Sequence, residues 1–135
     1  MSKITKAKRS KVAIRARHRC EYCCLHEEDL FLSFELDHII AIKHGGSHDL
    51  ENLAYACPHC NQHKGSDLVT LLDDSPEYVP LFNPRIQLWE DHFSVLEGEI
   101  IPKTNIGRAT VKLLQFNSPD LLILRKLLHE VGRYP

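Results

Sequence analysis

Leu53-Ala54-Tyr55-Ala56-Cys57-Pro58-His59-Cys60-Asn61-Gln62-His63-Lys64-Gly65 carries three signals in one run. Leu53–Ala56 is a short apolar stretch of strand length. Cys57-Pro58-His59-Cys60 is a pair of thiols spaced to hold one metal ion from a single tight turn. Pro58 then suits the first turn of a helix, where its missing N–H needs no partner. The predicted order is strand, metal turn, and a short helix over 58–66 that ends near Gly65.

Working back from this run, a matching pair, Cys20-Glu21-Tyr22-Cys23, is separated from Cys57 by 33 residues. Two such pairs in a chain with no export signal favour zinc over disulfides. Cys20, Cys23, Cys57 and Cys60 are the expected ligands, with Cys24 left over as a free thiol or an alternative to Cys23. A closed four-thiolate site leaves no open coordination position, so this zinc is expected to be structural. Between the pairs, Phe34-Glu35-Leu36 reads as a strand and His44-Gly45-Gly46-Ser47 as a turn. Residues 11–19 read as a helix and residues 25–33 as a loop or a short helical turn.

The chain has 135 residues and a net charge of −1, but the charge is uneven. Residues 1–20 hold eight Lys or Arg and no acid, residues 21–101 hold sixteen acids against Lys43, Lys64 and Arg85, and residues 102–135 are basic again. Lys8, Arg9, Lys11, Arg15, Arg17 and, on the helix after Cys60, Lys64 are candidate phosphate contacts. No apolar run reaches the roughly 18 residues of a membrane span, so a cytoplasmic protein without a membrane partner is expected, as a monomer or homodimer.

Asp37-His38, Gly45-Gly46, Asn52-Leu53 and Cys57-x-x-Cys60-Asn61-x-x-Lys64 occur in order between and just after the thiol pairs. Over about residues 12–66 this set resembles the HNH endonuclease family, in its branch with a four-cysteine zinc site. The resemblance implies an α+β protein with a ββα-metal (His-Me finger) core, and hydrolysis of phosphodiester bonds in DNA, with RNA also admitted. It implies His38 as general base, Asn52 orienting His38 by a hydrogen bond, and Asp37 as ligand of a catalytic divalent cation. A neutral imidazole suits the base, and oxygen ligands favour Mg²⁺ or Mn²⁺. The family's last metal ligand falls on Asn61. His63 competes as the better transition-metal ligand, and the two positions differ by about 200° around a helix. His44 and His48 are expected to be exposed turn residues.

The expected organisation is a basic arm over 1–11, a nuclease core over 12–68 and an extension over 69–135 that packs on the core. In the extension, Asp73-Asp74-Ser75-Pro76 reads as a loop, 80–90 as irregular and 92–101 as a hairpin turning at Glu97-Gly98. Thr104 or Asn105 caps a helix over 106–117, and Ser118-Pro119 opens a second helix. Leu121, Leu124, Leu128 and Val131 form its expected apolar face. Leu81-Phe82-Asn83-Pro84-Arg85, Trp89, His92-Phe93, Gly107-Arg108-Ala109-Thr110 and Asn117-x-Pro119 resemble the C-terminal extension of a bacterial HNH subgroup.

Three other readings compete. The first is a zinc-containing nucleic-acid-binding module without catalysis, in which Asp37, His38 and Asn52 would have no use together. The second is a zinc deaminase, which His26-Glu27-Glu28 suggests. That chemistry wants Pro-Cys-x-x-Cys, and here the proline lies inside the pair. The third is an interaction protein working through its C-terminal helices.

Overall fold

The computed structural model describes residues 4–135, so residues 1–3 of the expected arm lie outside the described residues. The chain divides into two compact units, one ending at Ser66 and one beginning at Asp67.

The first unit opens with helix α1, Lys6–Arg15, rather than with an arm followed by a helix over 11–19. Thr5 caps it by accepting from the Lys8 N–H at 3.1 Å. It stops early because Arg17 and His18 take left-handed φ angles of 56° and 59°. Val12 and Ala13 form its buried face, and it packs on strand β2 (Leu53–Ala56). A four-residue helix, α2 (Glu27–Leu30), follows the first cysteine pair.

Strand β1 spans Glu35–His38, starting one residue later and ending two residues later than the predicted Phe34-Glu35-Leu36. Phe34 is instead a core residue stacked 5.3 Å from Tyr55. Strand β1 pairs antiparallel with β2, in the register Asp37 to Ala54 and His38 to Leu53. All four residues of β2 are buried, as its apolar sequence requires. Helix α3, Pro58–Lys64, follows at once with Pro58 in its first turn and packs on both strands. This β1-β2-α3 arrangement places the end of β1 beside the face of α3.

The second unit holds the hairpin predicted at Glu97-Gly98, β5 (Phe93–Leu96) with β6 (Glu99–Pro102). It also holds an unpredicted hairpin, β3 (Val69–Leu72) with β4 (Ser75–Pro80). Asp73-Asp74 is the tight turn between those strands, so the loop signal there was real but shorter than its composition suggests. One short helix, α4 (Trp89–His92), begins at the end of the stretch predicted to be irregular. Helix α5, Asn105–Leu113, is capped by Thr104 and ends four residues before the predicted 117, just ahead of Gln115 at φ 49°. It packs on β3, β4 and β6.

Helix α6, Pro119–Glu130, begins at Ser118-Pro119 as predicted. Leu121 is buried, but Val131 lies past the helix and is 68% exposed. Its place on the buried face is taken by Arg125, which is 0% exposed. Arg125 Nε donates to Gly98 O and Nη2 to Asn117 Oδ1, each at 2.7 Å, and the guanidinium sits 5.8 Å from the Tyr134 ring.

Candidate metal centre and catalytic cleft

The two cysteine pairs meet at one point. The Sγ atoms of Cys20, Cys23, Cys57 and Cys60 all lie within 4.8 Å of one another, and all four residues are buried. Four thiolates at about 2.3 Å from a single zinc stand about 3.8 Å apart, and Cys23 Sγ lies 3.7 Å from Cys57 Sγ. Each pair also turns a backbone N–H onto its first sulfur: Cys23 N to Cys20 Sγ and Cys60 N to Cys57 Sγ, both at 3.4 Å. The donor set therefore fits a tetrahedral zinc ion. Electrostatics point the same way. Hydrogen bonds from Cys20, Cys23 and Cys60 hold the Cys57 thiol far below its ordinary range. Cys23 is pushed up, chiefly by its hydrogen bond with Cys20, and Cys60 chiefly by burial. Four crowded thiols cannot all ionise without a cation among them. Cys24 is not in the cluster, which resolves the choice between it and Cys23; it takes a left-handed φ of 69° where the first turn closes.

Tyr22, inside the first pair, is 0% exposed. Its hydroxyl donates to Asp37 Oδ2 at 2.6 Å, so the metal turn reaches directly to the end of β1. Burial first, then the Asp37 charge, raises the Tyr22 pKa well above its ordinary value. The neighbouring Glu21 anchors the same turn to β2, its N–H donating to Tyr55 O and its carboxylate accepting from Tyr55 N, both at 2.8 Å.

Lys64 corrects an expectation. It is not a surface residue facing phosphate but is 2% exposed. Its Nζ lies 3.1 Å from Asp37 Oδ2 and donates to His38 O at 3.2 Å and Ile39 O at 3.0 Å. The Asp37 carboxylate and the two carbonyls at the end of β1 compensate the buried charge. Burial raises the Asp37 pKa against the opposing pull of Lys64 and the Tyr22 hydroxyl.

Asp37, His38 and Asn61 line one cleft of about 220 Å³, together with Leu36, Ala41, Ile42, Gly65 and Ser66. His63 is not part of its lining. It is turned instead to His59, with Nδ1 2.7 Å from His59 O and the rings 4.1 Å apart. For a hard cation the oxygens of Asp37 and Asn61 are a fitting pair. A larger cleft of about 390 Å³ is lined by Lys6, Arg9, His18, Glu27 and Tyr55 among others. There Glu27 already engages both His18, at 2.7 Å, and the Tyr55 hydroxyl.

His38 points Nε2 at His48 Nδ1, 3.0 Å away. Burial foremost, then the proximity of His48 and Lys64, lowers its pKa below the ordinary 6.5. His48 was expected to be an exposed turn residue; it is half-buried against His38. Its sequence surroundings gave no signal, because the contact depends on how the loop folds back.

Asn52 also departs from expectation. It lies in a 3-10 turn just before β2, and its amide does not reach His38. Oδ1 accepts from Ile40 N at 2.9 Å, while Nδ2 donates to Ile40 O at 2.9 Å and Ser47 O at 2.8 Å. Both amide hydrogens are thereby spent on the loop between the strands. Gly46 permits that closure: a Cβ there would stand 1.7 Å from Ile40 O and 2.8 Å from Asn52 Nδ2. Gly45 takes a φ of 93°, open to glycine without strain.

Of the basic residues of the first helix, Lys8 Nζ donates to His48 O at 2.7 Å and Arg9 to Phe34 O at 3.3 Å. Arg15 donates to Leu50 O at 3.0 Å and to Leu53 O. These side chains brace the loops around the cleft. Lys11 and Arg17 are exposed.

A two-stranded sheet, a helix across it, a histidine at the strand end and a four-thiol cluster clamping both ends define a nuclease core of the ββα-metal class. Residues 20–67 match the HNH endonuclease family model. Residues 20–67 thus form an HNH endonuclease domain with a four-cysteine site suited to structural zinc, and that domain supports nuclease activity. No curated protein and no solved structure matches the chain. Among the described residues no helix is long and apolar enough to cross a membrane.

Proposed function

We propose that the protein is a metal-dependent endonuclease that hydrolyses phosphodiester bonds of DNA. His38 is its general base, and Asp37 and Asn61 are the residues that would hold a catalytic Mg²⁺ or Mn²⁺. The observation that carries this reading is the convergence of Asp37, His38 and Asn61 on one cleft, while His63 is engaged elsewhere.

The lowered pKa of His38 keeps its imidazole neutral at pH 7. Its Nδ1 has no hydrogen-bond partner among the described residues, whereas Nε2 is held by His48. A water beside Nδ1 loses its proton to that nitrogen as its oxygen bonds to phosphorus and the opposite P–O bond breaks. Lys64 and Tyr22 hold the Asp37 carboxylate at a fixed place beneath the cleft. When bound, the divalent cation would supply Lewis-acid stabilisation of phosphoryl charge and help to the leaving oxygen. Lys11 and Arg17 are exposed cations suited to DNA phosphates.

The test is cleavage of supercoiled plasmid by the zinc-loaded protein with Mg²⁺ or Mn²⁺. The expected result is divalent-dependent cleavage that is lost in His38→Ala and Asn61→Ala but kept in His63→Ala, with zinc content equal throughout. DNA binding without cleavage under any divalent ion would favour the non-catalytic zinc module instead.

A further inference from the structure

The loop between β1 and β2 is held on both sides of His48. Asn52 Nδ2 grips the Ser47 carbonyl at 2.8 Å and Lys8 Nζ the His48 carbonyl at 2.7 Å. The ring so delivered meets His38 edge to face, with centroids 5.1 Å apart and planes at 71°. The contact runs between single ring nitrogens, His38 Nε2 and His48 Nδ1, at 3.0 Å. One of the two must carry the hydrogen, and the alternatives differ chemically. If His48 donates, neutral His38 carries its own proton on Nδ1, and its one ring lone pair is spent on His48. If His38 donates, its Nδ1 is bare.

We propose that His48 is a positioning residue for His38: by accepting the Nε2–H of His38, it fixes the ring and selects the tautomer whose Nδ1 is the base. The proposal rests on the reading of His38 as general base. It also gives Asn52 its task. Asn52 does not touch the base; it closes the loop that carries His48, and His48 orients the base. The chain of contact runs from Asn52 to the Ser47 carbonyl, along one peptide to His48, and across 3.0 Å to His38.

The test compares His48→Ala, His48→Asn and His38→Ala in zinc-loaded protein. Asn places a carbonyl oxygen where the His48 Nδ1 stands, so it restores the acceptor without the ring. His48→Ala is expected to lose roughly 10- to 100-fold in single-turnover rate, the size typical of removing a hydrogen-bonded partner behind a functional histidine. The plasmid KM and zinc content should not change. His48→Asn should recover most of that loss. Long-range ¹H–¹⁵N spectra of the histidine rings supply a readout besides activity: His38 should be Nε2-protonated in the parent and in His48→Asn.

A parent spectrum with His38 protonated on Nδ1 overturns the proposal, whatever the variants do. So does a His48→Ala enzyme as fast as the parent while His38→Ala is inactive, or an Asn variant as slow as the Ala variant. A His38→Ala enzyme as fast as the parent would instead overturn the general-base reading, and would be distinguished by that alone.

Discussion

Tyr22 Oη donates to Asp37 Oδ2 across 2.6 Å, and Tyr22 lies between two of the four cysteines that converge on the metal site. The thiol cluster is therefore one hydrogen bond away from the acid at the end of β1. Tyr22→Phe removes the hydroxyl that makes this bond and keeps the ring. A hydrogen bond to a charged group contributes about 1.5–3 kcal/mol, so urea unfolding should show a loss of that size. Zinc content should be unchanged and plasmid cleavage slower. Equal stability of the variant and the parent would mean that the bond does not orient Asp37.

Lys64 and Asp37 form an ion pair in which both side chains are at most 3% exposed. Removing one partner strands the other charge in the interior. Lys64→Met is expected to cost about 3–5 kcal/mol, measured by denaturant unfolding. Asp37→Asn combined with Lys64→Met should recover part of that loss, because no charge is then left unpaired. A Lys64→Met protein of parental stability would show that Lys64 can leave the interior.

The first unit has a small apolar core, in which the four cysteines are among the most buried residues. Structural zinc in comparable small sites contributes on the order of 10–16 kcal/mol, as much as or more than the whole stability of a typical domain, about 5–15 kcal/mol. Chelation, or Cys57→Ser, is expected to abolish the dispersed amide spectrum of residues 4–66. Metal analysis should return one zinc per chain for the parent. A native spectrum from zinc-free protein would contradict the scaffold role.

Burial, His48 and Lys64 all favour the neutral form of His38. Because the proposed base works unprotonated, kcat/KM should rise with pH through a midpoint below the ordinary histidine value of 6.5 and level off by neutrality. The same shift bears on stability. The unfolded chain protonates His38 at a higher pH than the folded one does. The associated stability is therefore complete above about pH 6.5 and lost as pH falls through the folded-state value. An activity limb above 6.5 would contradict the neutral base.

Much of this was legible in the sequence, wherever local chemistry decides structure. Leu53–Ala56 is a strand because four apolar residues there are buried on both faces. Pro58 opens α3 and Gly65 closes it. Ser118-Pro119 and Glu97-Gly98 mark their helix and turn by backbone preference alone. Asp37, His38 and Asn61, the residues the family resemblance singles out, line one cleft. What failed to show depends on distance in the fold. Lys64 reads as a surface cation until Asp37 comes beneath it, and the burial of Arg125 depends on acceptors that Gly98 and Asn117 supply from elsewhere in the chain. His48 and Asn52 look like turn residues or ring partners until the loop folds back on Ile40 and His38. Tyr22 gave no polar signal, since a tyrosine in a metal turn is most simply a packing residue.

In the proposed reaction His38 removes the proton from the attacking water. The most direct measurement is single-turnover cleavage of supercoiled plasmid by zinc-loaded His38→Ala, with and without added imidazole. The variant should be slower by roughly 10²- to 10⁴-fold, with imidazole restoring part of the rate and leaving the parent unaffected. A His38→Ala protein that cleaves as fast as the parent would contradict the account.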